Sequence, residues 1–185
     1  MTGSSATVIL TIGHSTRPLA ELVRLLQAHG VKCLVDVRTV PRSRHNPQFN
    51  RESLPASLRA SGIGYTHLAE LGGLRRPGPD SLNAAWRNPS FRGYADHMQT
   101  PQFAEGLRKL LAIAKEQQVA VMCAEAVPWR CHRSLLSDAL LARGIAAEEI
   151  VSETRRQPHR MTEWARVDGT HVTYPLPLLP LLQKL

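Results

Sequence analysis

Residues 7–37 read TVILTIGHSTRPLAELVRLLQAHGVKCLVDV, and this stretch decides the fold. Thr7 to Ile12 is a short, β-branched apolar run closed by Gly13, the pattern of a buried strand. Pro18 then opens a stripe of Leu19, Leu22, Val23, Leu25 and Leu26, which ends at Gly30. That spacing predicts a helix, with proline at its start and glycine at its end. Val31 to Val37 returns to an apolar run and predicts a second strand. Strand, helix and strand joined by short connections make a βαβ unit, whose strands must run parallel.

The alternation continues down the chain. Glu52 to Ser61 predicts a short helix and Ile63 to Leu68 a third strand. Phe103 to Gln117 carries an amphipathic helical stripe through Leu107, Leu110, Leu111 and Ala114. Val119 to Cys123 (VAVMC) predicts a strand buried on both faces. Leu135 to Arg143 predicts a helix closed by Gly144, and Glu149 to Ser152 a last short strand. The expected architecture is a single doubly wound, three-layer α/β domain over residues 1–175, with a mostly parallel sheet of about five strands. Two stretches carry no periodicity, residues 38–50 (RTVPRSRHNPQFN) and Leu71 to Asn83 (LGGLRRPGPDSLN). They predict loops, and the first is long enough to suggest a function. Residues 176–185 form an apolar, proline-rich tail, expected to pack on the domain or on a partner.

Composition narrows the class. Of 185 residues, 43% are apolar, enough for a core, and no apolar run approaches the length of a membrane helix. Nothing in Met1 to Ala6 resembles a targeting signal. Three cysteines, Cys33, Cys123 and Cys131, are too few for a disulfide framework, so a reducing cytoplasm is expected. The formal charge is +8. Between Arg38 and Arg92 stand nine arginines, no lysines and three acids, a local charge of +6. Arginine offers a planar fork of donors suited to phosphate. An anionic small molecule or nucleic acid is therefore the expected partner, and no membrane. A merely solvated basic surface would give the same count. The composition leaves the oligomeric state open.

In open α/β sheets, ligands bind outside the carboxyl ends of the strands. Gly13, His14 and Ser15 follow the first strand; Asp36 and Arg38 follow the second. Arg42, Ser43 and Arg44 lie in the loop beyond. Cys123, Glu125, Arg130, Cys131, His132 and Arg133 follow the strand at 119–123. All are polar, titratable or reactive, and the topology gathers them at one edge. Ser15 or Thr16 could simply cap the following helix, and Asp36 could simply pair with an arginine. A helix start beside glycine also cradles anions, so the readings are compatible.

The segment Cys123 to Arg133 (CAEAVPWRCHR) allows three uses. Cys131 or Cys123 can be a nucleophile with His132 or His14 as base, Cys131 being expected in the first turn of the next helix, where positive potential favours a thiolate. Glu125 can be a carboxylate nucleophile or base. Zinc ligation by the cysteines and His132 is disfavoured, since Cys-x7-Cys-His lacks the close-paired spacing of zinc sites, and no metal or cofactor is expected. The plain reading has Cys123 as a small buried hydrophobe and the arginines as anion clamps.

Taken together, TIGHSTRPLAEL, LVDVRTVPRSRHNPQFN, GIGYTHLAELGGLRR, FRGYADHM, VAVMCAEAVPWRCHRSLL and PHRMTEWARVDGTHVTYP make the chain resemble the domain-of-unknown-function 488 family from Val8 to Pro175. The resemblance implies an α/β fold. It matches the family's characteristic residues at Gly13, His14, Ser15, Asp36, Arg38, Pro41, Arg42, Ser43, Cys123, Glu125, Cys131, His132 and Arg133, and it delivers no reaction. The absence of GxGxxG and GxxxxGK[ST] gives no support to a dinucleotide or P-loop mechanism. Two expectations stand: a hydrolase or group transferase on a phosphate-bearing substrate, with Arg38, Arg42, Arg44, Arg130 and Arg133 holding the anion, or a non-catalytic module that binds nucleotide or nucleic acid.

Overall fold

The computed structural model describes residues 7–177. The opening unit forms as its pattern dictates: β1 spans Val8–Gly13, α1 Leu19–Ala28 and β2 Cys33–Asp36. There follow α2 (Leu54–Arg59), β3 (Gly64–His67), α3 (Pro89–His97), α4 (Pro101–Glu116), β4 (Val119–Cys123), α5 (Arg133–Leu141) and β5 (Ala146–Ile150). Three short strands close the domain: β6 (Arg156–Pro158), β7 (Arg166–Asp168) and β8 (His171–Thr173).

Six strands form one sheet in the order β3-β2-β4-β1-β5-β6. The first five run parallel, and β6 pairs antiparallel with β5 at the edge. A separate antiparallel pair joins β7 and β8. The domain is thus α/β with a mostly parallel, six-stranded sheet, one strand more than expected. No helix among the described residues is long and apolar enough to cross a membrane.

Strand alternation sorts the core into two faces. Leu10, Ile12, Leu34, Ala120 and Met122 pack with Leu22, Leu25 and Leu26 of α1 and Leu54 and Leu58 of α2. The other parity, Ile9, Cys33, Val35, Val119, Val121 and Cys123, packs with Tyr94 of α3, Phe103, Leu107 and Leu110 of α4 and Leu135, Leu136 and Ala139 of α5. This parity turns Cys123 toward the α5 side, from which Cys131 approaches.

The differences from expectation have physical causes. α3 lies in a polar stretch and is set by its start: Asn88 accepts a 2.9 Å bond from the Ser90 N–H, and Pro89 follows it. β5 begins three residues earlier than read, because its glutamates are paired with arginines: Glu149 with Arg133 and Glu148 with Arg156. Cys131 stands before α5, not in its first turn; it closes the turn Pro128–Arg130 with extended backbone, and the helix starts at Arg133. Just before the apolar tail, Tyr174 is buried and its hydroxyl donates to Asp138 at 2.8 Å; within the tail Leu176 is exposed, and residues 178–185 lie outside the described part.

Candidate active site

β1, β2 and β4 end side by side, with Gly13 opposite Cys123 and Asp36 opposite Met122. The chain leaving β1 is tied to the chain leaving β4: the His14 N–H donates to the Cys123 carbonyl at 3.0 Å and the Ser15 N–H to that of Ala124 at 2.9 Å. Gly13 is required there, since a Cβ would stand 1.9 Å from the Glu125 carbonyl oxygen. Ser15 takes a left-handed conformation at φ 48°, the one described non-glycine residue that does. The turn is therefore held to one shape by both neighbouring strands.

A buried network occupies the α1–α2 side of this edge. Arg38 donates to Asp36 through Nε at 2.9 Å and Nη2 at 2.6 Å, and Tyr65 donates its hydroxyl to the same carboxylate at 2.8 Å. Nη2 of Arg38 also reaches the Phe49 carbonyl at 2.7 Å, and Nη1 lies 3.2 Å from His14 Nε2. The other ring nitrogen of His14, Nδ1, is 2.8 Å from the Ser15 carbonyl. An arginine can only donate, so Nε2 is the acceptor and the proton sits on Nδ1. Burial, with Arg38 nearby, holds the imidazole well below its ordinary pKa, at about 4. The ring stacks on Phe49 with centroids 4.3 Å apart.

The α5 side carries the thiols. Cys123 Sγ is 3.9 Å and Cys131 Sγ 3.7 Å from Nδ1 of His132. The hydrogen bond from Cys123 drives Cys131 far below the ordinary thiol range, aided by His132 and Arg133 and against the effect of burial. The same bond, with burial, drives Cys123 up. The pair thus favours a thiolate at Cys131 and a thiol at Cys123. Gly73 covers the imidazole so closely that a Cβ there would lie 2.2 Å from Nδ1. Nε2 of His132 is buried and has no hydrogen-bond partner.

These groups meet in one cleft of about 570 Å³. Its lining includes His14, Ser15, Arg38, Arg42, Ser43, Cys123, Glu125, Arg130, Cys131 and His132, ten of the residues marked from sequence. Gly13, Asp36, Arg44 and Arg133 are not among its walls. Asp36 stands behind Arg38, and Arg44 is exposed outside. Arg133 is fully buried, donating to Glu149 at 3.0 Å and to the Glu125 carbonyl at 2.7 Å. Neither Arg133 nor Arg38 has its charge free for a ligand, which corrects their reading as anion clamps. Glu125 reaches the cleft only at its rim; its carboxylate is exposed and turns back to the Ala126 N–H at 3.1 Å. Arg42 and Arg130 are the exposed cations of the wall, Arg42 in a surface pair with Glu52.

Sequence reading passed over four contributors: Phe49 and Tyr65, which shape the Asp36–Arg38–His14 network, and Gly73 and Leu74, which wall the thiol side. Only the double glycine at 72–73 was a usable signal, because adjacent glycines in a loop mark close backbone approach.

A family model described as "Domain of unknown function DUF488" matches residues 18–140, and the chain belongs to that family. No curated protein and no solved structure matches the chain.

Proposed function

We propose that this member of the DUF488 family is an enzyme that hydrolyses, or transfers a group from, a phosphate-bearing substrate such as a nucleotide or nucleic acid. One observation carries the reading: Cys123, Cys131 and His132 line the same cleft as Arg42 and Arg130. A cysteine held toward its thiolate in a largely buried site is a common mark of reactive centres. The arginines at the wall suit an oxyanion, and the Arg42–Glu52 pair is exposed enough to be exchanged for a ligand at little cost.

Roles follow from geometry. The cysteine–histidine cluster is the reactive centre. Arg42 and Arg130 hold the anion, with Ser15 and Ser43 as polar partners on the same walls. His14 has both ring nitrogens engaged, so it positions Arg38 and the β1 turn instead of moving protons. Glu125 is kept at the rim as a group able to meet the leaving atom of a bound substrate.

The test is a panel of phosphomonoesters and phosphodiesters, including nucleotides and short oligonucleotides, presented to the full chain. Turnover is expected with at least one class, abolished in Cys131→Ser and reduced in Arg130→Ala mainly through KM. Saturable binding without turnover of any class would replace the enzyme by the non-catalytic binding module. Turnover that survives in Cys131→Ser and His132→Asn would remove the cluster from the chemistry.

A further inference from the structure

We infer that Cys123, Cys131 and His132 bind a divalent zinc-like ion, with the fourth coordination position open to the cleft. The inference deepens the proposed function by naming a cofactor for the same centre; it rests on that reading for the ion's purpose and not for its presence. The three side chains bring one ligand atom each to within 4.8 Å of one another. In a tetrahedral zinc site with ordinary Zn–S and Zn–N bonds, sulfur and imidazole nitrogen stand about 3.6 Å apart. Here the two sulfurs lie 3.9 and 3.7 Å from Nδ1, near that separation and nearly equal to one another. Two sulfurs at nearly the same distance from one ring nitrogen match two edges of a coordination tetrahedron.

The surroundings fit thiolate ligands. The Arg133 N–H donates to Cys131 Sγ at 3.5 Å. Such a bond to sulfur belongs to the outer shell that orients metal ligands. Charge fits as well. Two cysteine ligands on one divalent ion make a centre with no net charge, which suits a buried site. Binding M²⁺ forms two M–S bonds and one M–N bond, and any thiol proton still present leaves to solvent. The linear spacing hid the site because the segment 124–130 folds back on itself and carries Cys131 to the end of β4. Three protein ligands leave one position, and Cys123, Cys131 and His132 all line the cleft. A set of two cysteines and one histidine with an open fourth position is the pattern of catalytic rather than structural zinc.

The test uses the full chain, stripped with a chelator and titrated with Co²⁺ alone. One cobalt per chain is expected, with a sulfur-to-cobalt charge-transfer band that Zn²⁺ then bleaches by displacement. The band should be lost in Cys123→Ser and in Cys131→Ser and kept in Cys33→Ala, whose thiol lies elsewhere in the core. Should the serine variants misfold, the wild-type chain still decides: Zn²⁺ should protect Cys123 and Cys131 from alkylation. A stripped chain that keeps its circular dichroism but shows no band, or thiols alkylated equally with and without Zn²⁺, overturns the site. Phosphoester turnover by metal-free protein would overturn the ion's catalytic role while leaving the proposed function standing. Stoichiometric cobalt binding without any turnover would leave the ion standing and overturn the proposed function.

Discussion

At the residue scale, single atoms decide what the cleft can do. His14 is buried, and its depressed pKa of about 4 makes it a stability element. The folded state resists protonating it, whereas the unfolded chain takes up the proton near pH 6.5. Its contribution is therefore fully present above about pH 6.5 and is lost as pH falls toward 4. The window of roughly two and a half units corresponds to about 3 kcal/mol. His97, also lowered chiefly by burial, acts in the same direction. Denaturant midpoints measured between pH 7 and pH 4 should fall through this window, and in His14→Gln the slope should flatten. A second prediction concerns Gly73. An alanine methyl at 2.2 Å from Nδ1 of His132 must displace the ring, because Tyr94 packs against it with centroids 4.9 Å apart. Gly73→Ala should leave the circular dichroism intact and weaken cobalt affinity at least tenfold. Unchanged affinity would mean the ring has room to spare.

At the element scale, the legible and the illegible separate along one line. Elements whose partner is the core were readable, because apolar periodicity reports core contact directly: β1, α1, β2 and α4 fall within two residues of expectation, and β4 on it. Elements defined by polar pairing were not. α3 begins at an asparagine cap, β5 hides its glutamates against Arg133 and Arg156, and β6 to β8 are three-residue strands with no room for periodicity. The same line runs through the site. That His14, Arg38, Cys123, Glu125 and His132 would share one edge followed from parallel topology. That Arg38 and Arg133 would be consumed by Asp36 and Glu149 did not, since an arginine looks alike in sequence whether it faces a ligand or a carboxylate. α5 shows how much polar pairing can hold. Its Asp138 is buried and accepts from Tyr174 at 2.8 Å and from the Thr162 N–H at 3.0 Å, with His159 Nε2 at 2.7 Å. These bonds fasten the stretch after β6 and the residue after β8 to one helix. Tyr174→Phe removes one bond to a buried carboxylate and should cost about 2 kcal/mol in urea unfolding, with the cleft's ligand affinity unchanged.

At the scale of the whole molecule, charge is the property still unspent. The chain carries +8, and the two buried arginines at the strand edge are cancelled inside the fold, so much of the remaining excess is available at the surface. Under the proposed function, a cleft with exposed Arg42 and Arg130 on its wall, in a molecule of that sign, would raise the local concentration of anions and accelerate their capture. How far the footprint extends beyond the cleft distinguishes the two substrate classes. A mononucleotide meets only the wall arginines, so its affinity should fall only modestly as salt rises. An oligonucleotide that continues across the basic loop at 38–50, over Arg44 as well, releases counterions at every neutralised phosphate. For single strands the logarithmic slope is about 0.7 per contact. Binding of a labelled oligonucleotide and of a labelled mononucleotide, each measured across a salt series, separates them. The oligonucleotide should show the steeper slope, and Arg44→Ala should reduce it by about one contact while leaving the mononucleotide untouched. Equal slopes would confine recognition to the cleft and make the substrate a small phosphate ester. Binding insensitive to salt in both cases would remove charge, and with it the phosphate-bearing substrate, from the account.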